Sequence, residues 1–157
     1  MGILAGIMVP HPPLIVPAVG RGGERGIAAM VHAYGQAAEF AMSFEPDVLL
    51  FFSPHAVMYA DYFHVSPGAG ASGNFAQFGA PREAFEVSYD AEFVRALEGA
   101  AHDIGFPAGT LGERDKRLDH GVTVPLYFIS RAAGELPKIV RIGLSGVPLT
   151  ERYKFGR

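Results

Sequence analysis

The 157-residue chain is 49% hydrophobic, with a formal charge of −3 and a pI near 6.0. That is enough apolar material for one core and too little chain for two ordinary domains, so a single α/β domain over residues 1–157 is expected. Thirteen Lys plus Arg against 16 Asp plus Glu leave no basic field, which argues against nucleic acid as the main partner. No cysteine is present, so disulfides, thiolate metal sites and cysteine nucleophiles are excluded, and histidine and carboxylate must do any metal chemistry.

Residues 2–9, Gly-Ile-Leu-Ala-Gly-Ile-Met-Val, form an apolar run that reads as the first strand. It lacks a basic leader and runs into Pro10-His11-Pro12-Pro13, so neither secretion nor membrane insertion is expected and a cytoplasmic location is the default. The prolines hold the following chain extended and place His11 on a stiff loop. After the Gly20-Arg21-Gly22-Gly23 cluster a helix begins near Glu24, with Ile27, Val31, Tyr34, Ala38 and Ala41 along its buried face. It leads into Val48-Leu49-Leu50-Phe51-Phe52-Ser53, five apolar residues without polar alternation, which reads as a parallel strand buried on both faces and ended by Pro54-His55. With residues 2–9 it would complete a right-handed strand, helix, strand unit.

Residues 61–66 read as a further strand, 67–73 as a loop nearly without side chains, and 74–81 as irregular and aromatic. Alternation over Ala84-Phe85-Glu86-Val87-Ser88-Tyr89 predicts a strand with one exposed face. Asp90 is a good N-cap for a helix that buries Phe93, Val94, Leu97, Ala101 and Ile104. A polar loop over 106–117 precedes Leu118-Asp119-His120-Gly121 and a short apolar helix with Pro125 in its first turn. Residues 138–144 predict another strand, and 149–157 the opening of a helix whose abrupt end points to a chain truncated at its C-terminus. The fold class is therefore α/β, three layers with helices on both faces of a mostly parallel or mixed central sheet.

In open α/β sheets sites collect beyond the carboxyl ends of strands, where this sequence has two Pro-His pairs. His11 and His55 so placed are candidates to share one divalent ion, provided their ring nitrogens lie within roughly 6 Å, since each bond is about 2 Å. Ser53 is a candidate nucleophile, but it lacks a strained Gly-x-Ser-x-Gly elbow, so capping or turn formation is the favoured role. His120 could bind metal, contact a substrate as a proton-transfer group, or cap the helix after it. His64 falls in mid-strand and His32 and His102 on helix surfaces, where structural roles are expected. Asn74, Gln77 and Phe78 border a pocket or pack a surface loop. The glycines at 68, 70 and 73 do not follow the strand-to-helix pattern of a phosphate loop.

Taken in order, Met8-Val9-Pro10-His11-Pro12-Pro13, Ser53-Pro54-His55, the stretch 73–81 (Gly-Asn-Phe-Ala-Gln-Phe-Gly-Ala-Pro), and Leu118-Asp119-His120-Gly121 with Val124-Pro125-Leu126 resemble one family. It is the class III extradiol ring-cleavage dioxygenases of the protocatechuate 4,5-dioxygenase beta-subunit type, with their Memo-like relatives and especially the branch encoded beside radical SAM proteins. The resemblance implies a non-haem Fe(II) centre, with zinc as the alternative metal, held by two histidines and a carboxylate. His11 and His55 would be the histidine ligands, His120 the acid/base and substrate-contacting residue, and Asn74 and Phe78 further substrate contacts. A catechol-type molecule and O2 would be the substrates. The family's carboxylate ligand lies further toward the C-terminus than residue 157, and Asp61, Glu83 and Asp119 have no spacing that singles one out as a substitute. Two other classes use the same residues: a Memo-like accessory or protein-interaction module, as a homo-oligomer or accessory subunit, and a zinc-dependent hydrolase.

Overall fold

A computed structural model describes residues 2–156. In chain order it contains a 3-10 turn (Pro13–Ile15), α1 (Pro17–Gly20), a 3-10 turn (Gly23–Ile27), α2 (Ala28–Met42), β1 (Val48–Ser53), β2 (Phe63–His64) and β3 (Gly70–Phe75). A 3-10 turn (Ala76–Phe78), β4 (Ala80–Ser88), α3 (Ala91–Asp103), β5 (Ala108–Gly109), α4 (His120–Ala132), β6 (Lys138–Gly143) and α5 (Leu149–Phe155) follow. The fold is mixed α/β, as the sequence predicts. Among the described residues, no helix is long and apolar enough to cross a membrane.

β6 is the axis. It pairs in parallel with β1, from Val48 opposite Lys138 to Ser53 opposite Gly143. Single bridges join it to the other strand pairs, Tyr89 to Ile139 in parallel and Val65 to Ile142 antiparallel. The period of two separates its side chains. Ile139 packs with Val122 and Leu126 of α4, whereas Val140 and Ile142 pack with Val94 and Ala101 of α3. Helices thus cover both faces of β6, and α2 backs α4 through Tyr34 stacked on Phe128 at 4.4 Å. Asp90 caps α3 as expected, its Oδ1 accepting from the N–H groups of Glu92 and Phe93.

Several sequence expectations are corrected. Residues 2–9 form no strand among the described residues, and Ile3, Leu4, Ile7 and Met8 are exposed, so the expected crossover unit with β1 is not formed. An apolar pattern supplies one face of a strand but not the neighbour that must take its N–H and C=O groups. β1 is parallel but not buried on both sides, because Leu50 and Phe52 are 44% and 52% exposed. The expected loop at 67–73 is mostly strand: β3 and β4 form an antiparallel hairpin with a bulge at Asn74/Phe75. Its glycines are what admit the close packing, since a Cβ on Gly73 would meet Leu118 at 2.6 Å. The strand expected at 61–66 is reduced to Phe63–His64. α4 begins at His120, so Pro125 lies in the helix interior rather than the first turn. There it cannot donate to the carbonyl one turn back. The helix persists because all eight residues from Val122 to Ile129 are buried. At the end of α3, Ile104 is 73% exposed instead of buried.

Candidate metal centre

Each of the three histidines is delivered by a different kind of local structure. His11 lies on the extended segment before the Pro13–Ile15 turn, which is pinned by the fully buried Ile15 and Val16. His55 follows the end of β1, where Ser53 is fully buried and Pro54 stops the ladder. His120 is the first residue of α4, whose N-cap is Asp119.

These elements bring the rings together. His11 Nε2 and His55 Nε2 are 3.0 Å apart, well inside the limit for sharing an ion. Ring centroids are separated by 3.9 Å for His55–His120, 5.0 Å for His11–His55 and 5.6 Å for His11–His120. One nitrogen from each of the three rings falls within 4.8 Å of the others, with His55 exposed and His11 and His120 half-buried. Among the described residues, neither Asp61, Glu83 nor Asp119 joins this gathering of possible ligand atoms. Glu83 instead lies 3.7 Å from Arg131.

Electrostatics favour a neutral ring at His120. Burial lowers its pKa first, the neighbouring His55 and His11 lower it further, and Asp119 opposes them. A neutral imidazole keeps a lone pair for a metal or a substrate proton. Phe78 stands edge-on to His120 with centroids 5.4 Å apart. Asn74 lines a cavity of about 500 Å³ together with His55, Gln77, Arg117, Asp119 and Arg141, a size suited to a small molecule. Its Oδ1 accepts from the N–H of Ala76, so the side chain also shapes the turn after β3.

His32 and His102 are exposed and His64 is fully buried, all apart from the cluster. Neither His64 ring nitrogen has a hydrogen-bond partner among the described residues, and burial lowers its pKa. The sequence reading passed over Arg141. Its guanidinium, buried at the cavity floor, donates to Ser66 Oγ and to the carbonyls of Arg117 and Asp115, and lies 3.5 Å from Glu113. The signal was there in a charged residue inside the apolar run Ile139-Val140-Arg141-Ile142. The bridge from Ser53 to Asp119 was missed too; Ser53 Oγ donates to Asp119 Oδ1 at 2.5 Å.

The mixed α/β domain gathers three imidazoles that could hold a metal ion, and His55 also lines a cavity of small-molecule size. Comparison with known proteins gives the family. Residues 5–157 match the family described as "Catalytic LigB subunit of aromatic ring-opening dioxygenase", and the chain belongs to it. A relative from Clostridium acetobutylicum, named only as Protein CA_C1420, is 32% identical over 157 residues, covering 95% of this chain and 33% of the relative. The chain thus spans about a third of the length of the curated relative it matches.

Proposed function

We propose that this chain is the histidine-bearing part of a non-haem Fe(II) extradiol dioxygenase of the protocatechuate 4,5-dioxygenase beta-subunit type, acting on a catechol-type substrate with O2. The observation that carries the reading is the 3.0 Å approach of His11 Nε2 to His55 Nε2. Two bonds of about 2.1 Å meeting at roughly 90–110° put their donor atoms roughly 3.0–3.4 Å apart, so the pair suits one ion without rearrangement. Family membership supports aromatic ring opening as the chemistry.

In this reading His11 and His55 hold the metal. Fe(II) held there would supply Lewis-acid and redox chemistry for a catechol and O2. His120 accepts a hydroxyl proton from the substrate, a role suited to a ring kept neutral by burial. Phe78 offers an aromatic edge beside that histidine, Asn74 borders the cavity on the β3 side, and together they orient the substrate ring. The carboxylate ligand would lie further toward the C-terminus than residue 157, as the family resemblance implies.

The test has two arms. Anaerobic titration of the chain with Fe(II) or Co(II) should show one tight site, lost in His11→Ala and His55→Ala. Oxygen uptake by the Fe(II)-loaded protein, prepared also in any longer form that its gene encodes, is then measured with a panel of catechols. A yellow ring-opened product supports the proposal. Metal binding without any such product across the panel would refute the dioxygenase reading, and hydrolysis by the zinc-loaded protein would replace it with the hydrolase.

A further inference from the structure

We propose that Ser53 and Asp119 are positioning residues whose hydrogen bond sets the separation of His55 and His120, and through it the shape of the metal centre. The inference rests on the metal-site reading above but adds two residues and a mechanism to it.

The geometry is a chain of short links. Ser53 is the last residue of β1 and fully buried. Its hydroxyl donates to Asp119 Oδ1 and accepts, at 3.2 Å, from the backbone N–H of His55. The same Asp119 oxygen accepts at 2.8 Å from the N–H of Gly121. The carbonyl of Asp119 accepts from the N–H groups of Val122 and Thr123, which starts α4 at a fixed point. One hydroxyl and one carboxylate oxygen therefore tie the peptide of His55 to the first turn of the helix that carries His120, across 66 residues of sequence. Gly121 permits the approach, because a Cβ there would run into Ser53 Oγ and meet Asp119 Oδ1 at 2.9 Å.

The two histidines joined this way are the closest ring pair of the three, at 3.9 Å. His11 arrives on an irregular segment and is not part of the bridge. Ser53 thus makes the turn contact that its place in the sequence favours, with the N–H two residues on, and adds to it the bridge to Asp119. Its hydroxyl has one donor hydrogen, and that hydrogen goes to Asp119 at the N-cap of α4. Partners one step removed from a ligand orient it, and their loss weakens metal affinity by about ten- to a hundredfold.

The experiment uses the full chain and two independent readouts. In the metal-free protein, nuclear Overhauser contacts between the ring protons of His55 and His120 report their separation directly. In the Co(II)-titrated protein, affinity and the visible spectrum report the ligand geometry. Ser53→Ala, Asp119→Ala and Gly121→Ala should each lose the ring-to-ring contacts and bind Co(II) about tenfold or more weakly, with an altered spectrum. Asp119→Asn keeps the accepting oxygen and should retain both signals.

Ring contacts that persist in folded Ser53→Ala would overturn the proposal, as would Co(II) affinity and a spectrum unchanged from the parent chain in that variant. Circular dichroism identifies variants that fail to fold, and Asp119→Asn then decides: loss of the ring contacts in that folded variant also overturns the bridge. If the parent chain binds no Co(II), the metal reading fails while the metal-free ring contacts still decide the bridge.

Discussion

Replacing Arg141 with Met should be among the most damaging single changes in this domain. The guanidinium is 2% exposed and Glu113, its ion-pair partner at 3.5 Å, is 10% exposed. Met fills much of the same volume but leaves that largely buried carboxylate without its counter-charge. It also strands Ser66 Oγ and the carbonyls of Arg117 and Asp115, to which Arg141 donates at 2.7, 2.6 and 2.8 Å. Each hydrogen bond to a charged group contributes about 1.5–3 kcal/mol, but these terms overlap with the ion pair. Removing one member of a buried pair costs about 3–5 kcal/mol, and that is the expected loss here. Set against a typical total of about 5–15 kcal/mol, the variant is folded but marginal. The chain has no tryptophan, so urea unfolding is followed by far-UV circular dichroism, reading the midpoint at constant slope. Adding Glu113→Gln should recover about 1–2 kcal/mol by removing the orphaned charge. A loss below about 1 kcal/mol in Arg141→Met, or strict additivity in the double variant, would refute the reasoning that Arg141 and Glu113 stabilise the fold as a pair.

Two further outcomes follow from buried and capping groups. Burial lowers the pKa of His64 from its ordinary 6.5, so the unfolded chain binds more protons as pH falls below 6.5 and the folded state loses stability there. His64→Leu should flatten this acid slope by up to about 1.4 kcal/mol per pH unit between 6.5 and the folded pKa. An unchanged slope in urea midpoints across that range would show that His64 does not carry it. Asp90→Ala removes the oxygen that accepts from Glu92 and Phe93 at the start of α3, and should cost about 1 kcal/mol in the same assay.

Much of the site was legible because it is written in local chemistry. Two Pro-His pairs mark chain reversals after apolar runs, and Asp119-His120-Gly121 marks a helix start, whatever the fold around them. The cap at Asp90, the strand at 138–143 and the alternation in 84–88 are likewise set by neighbours in sequence. Residues 2–9 show the limit of such signals. They have the composition of a strand, yet nothing in eight residues says which ladder will accept them, and here they stay unpaired.

Tertiary structure decided the distances. That His11 and His55 meet at 3.0 Å follows from where the 10–16 segment docks against the core beneath it, a packing outcome no spacing encodes. The glycine-rich stretch before Asn74 became a strand because β4 offered its backbone a ladder and Leu118 demanded a surface without side chains. Ser53, unremarkable in sequence, acquired its place only when α4 brought Asp119 to it. Local sequence specifies torsions and caps over a few residues. The gathering of His11, His55 and His120 depends on contacts between elements far apart in the chain, and only their packing brings one nitrogen from each ring within 4.8 Å of the others.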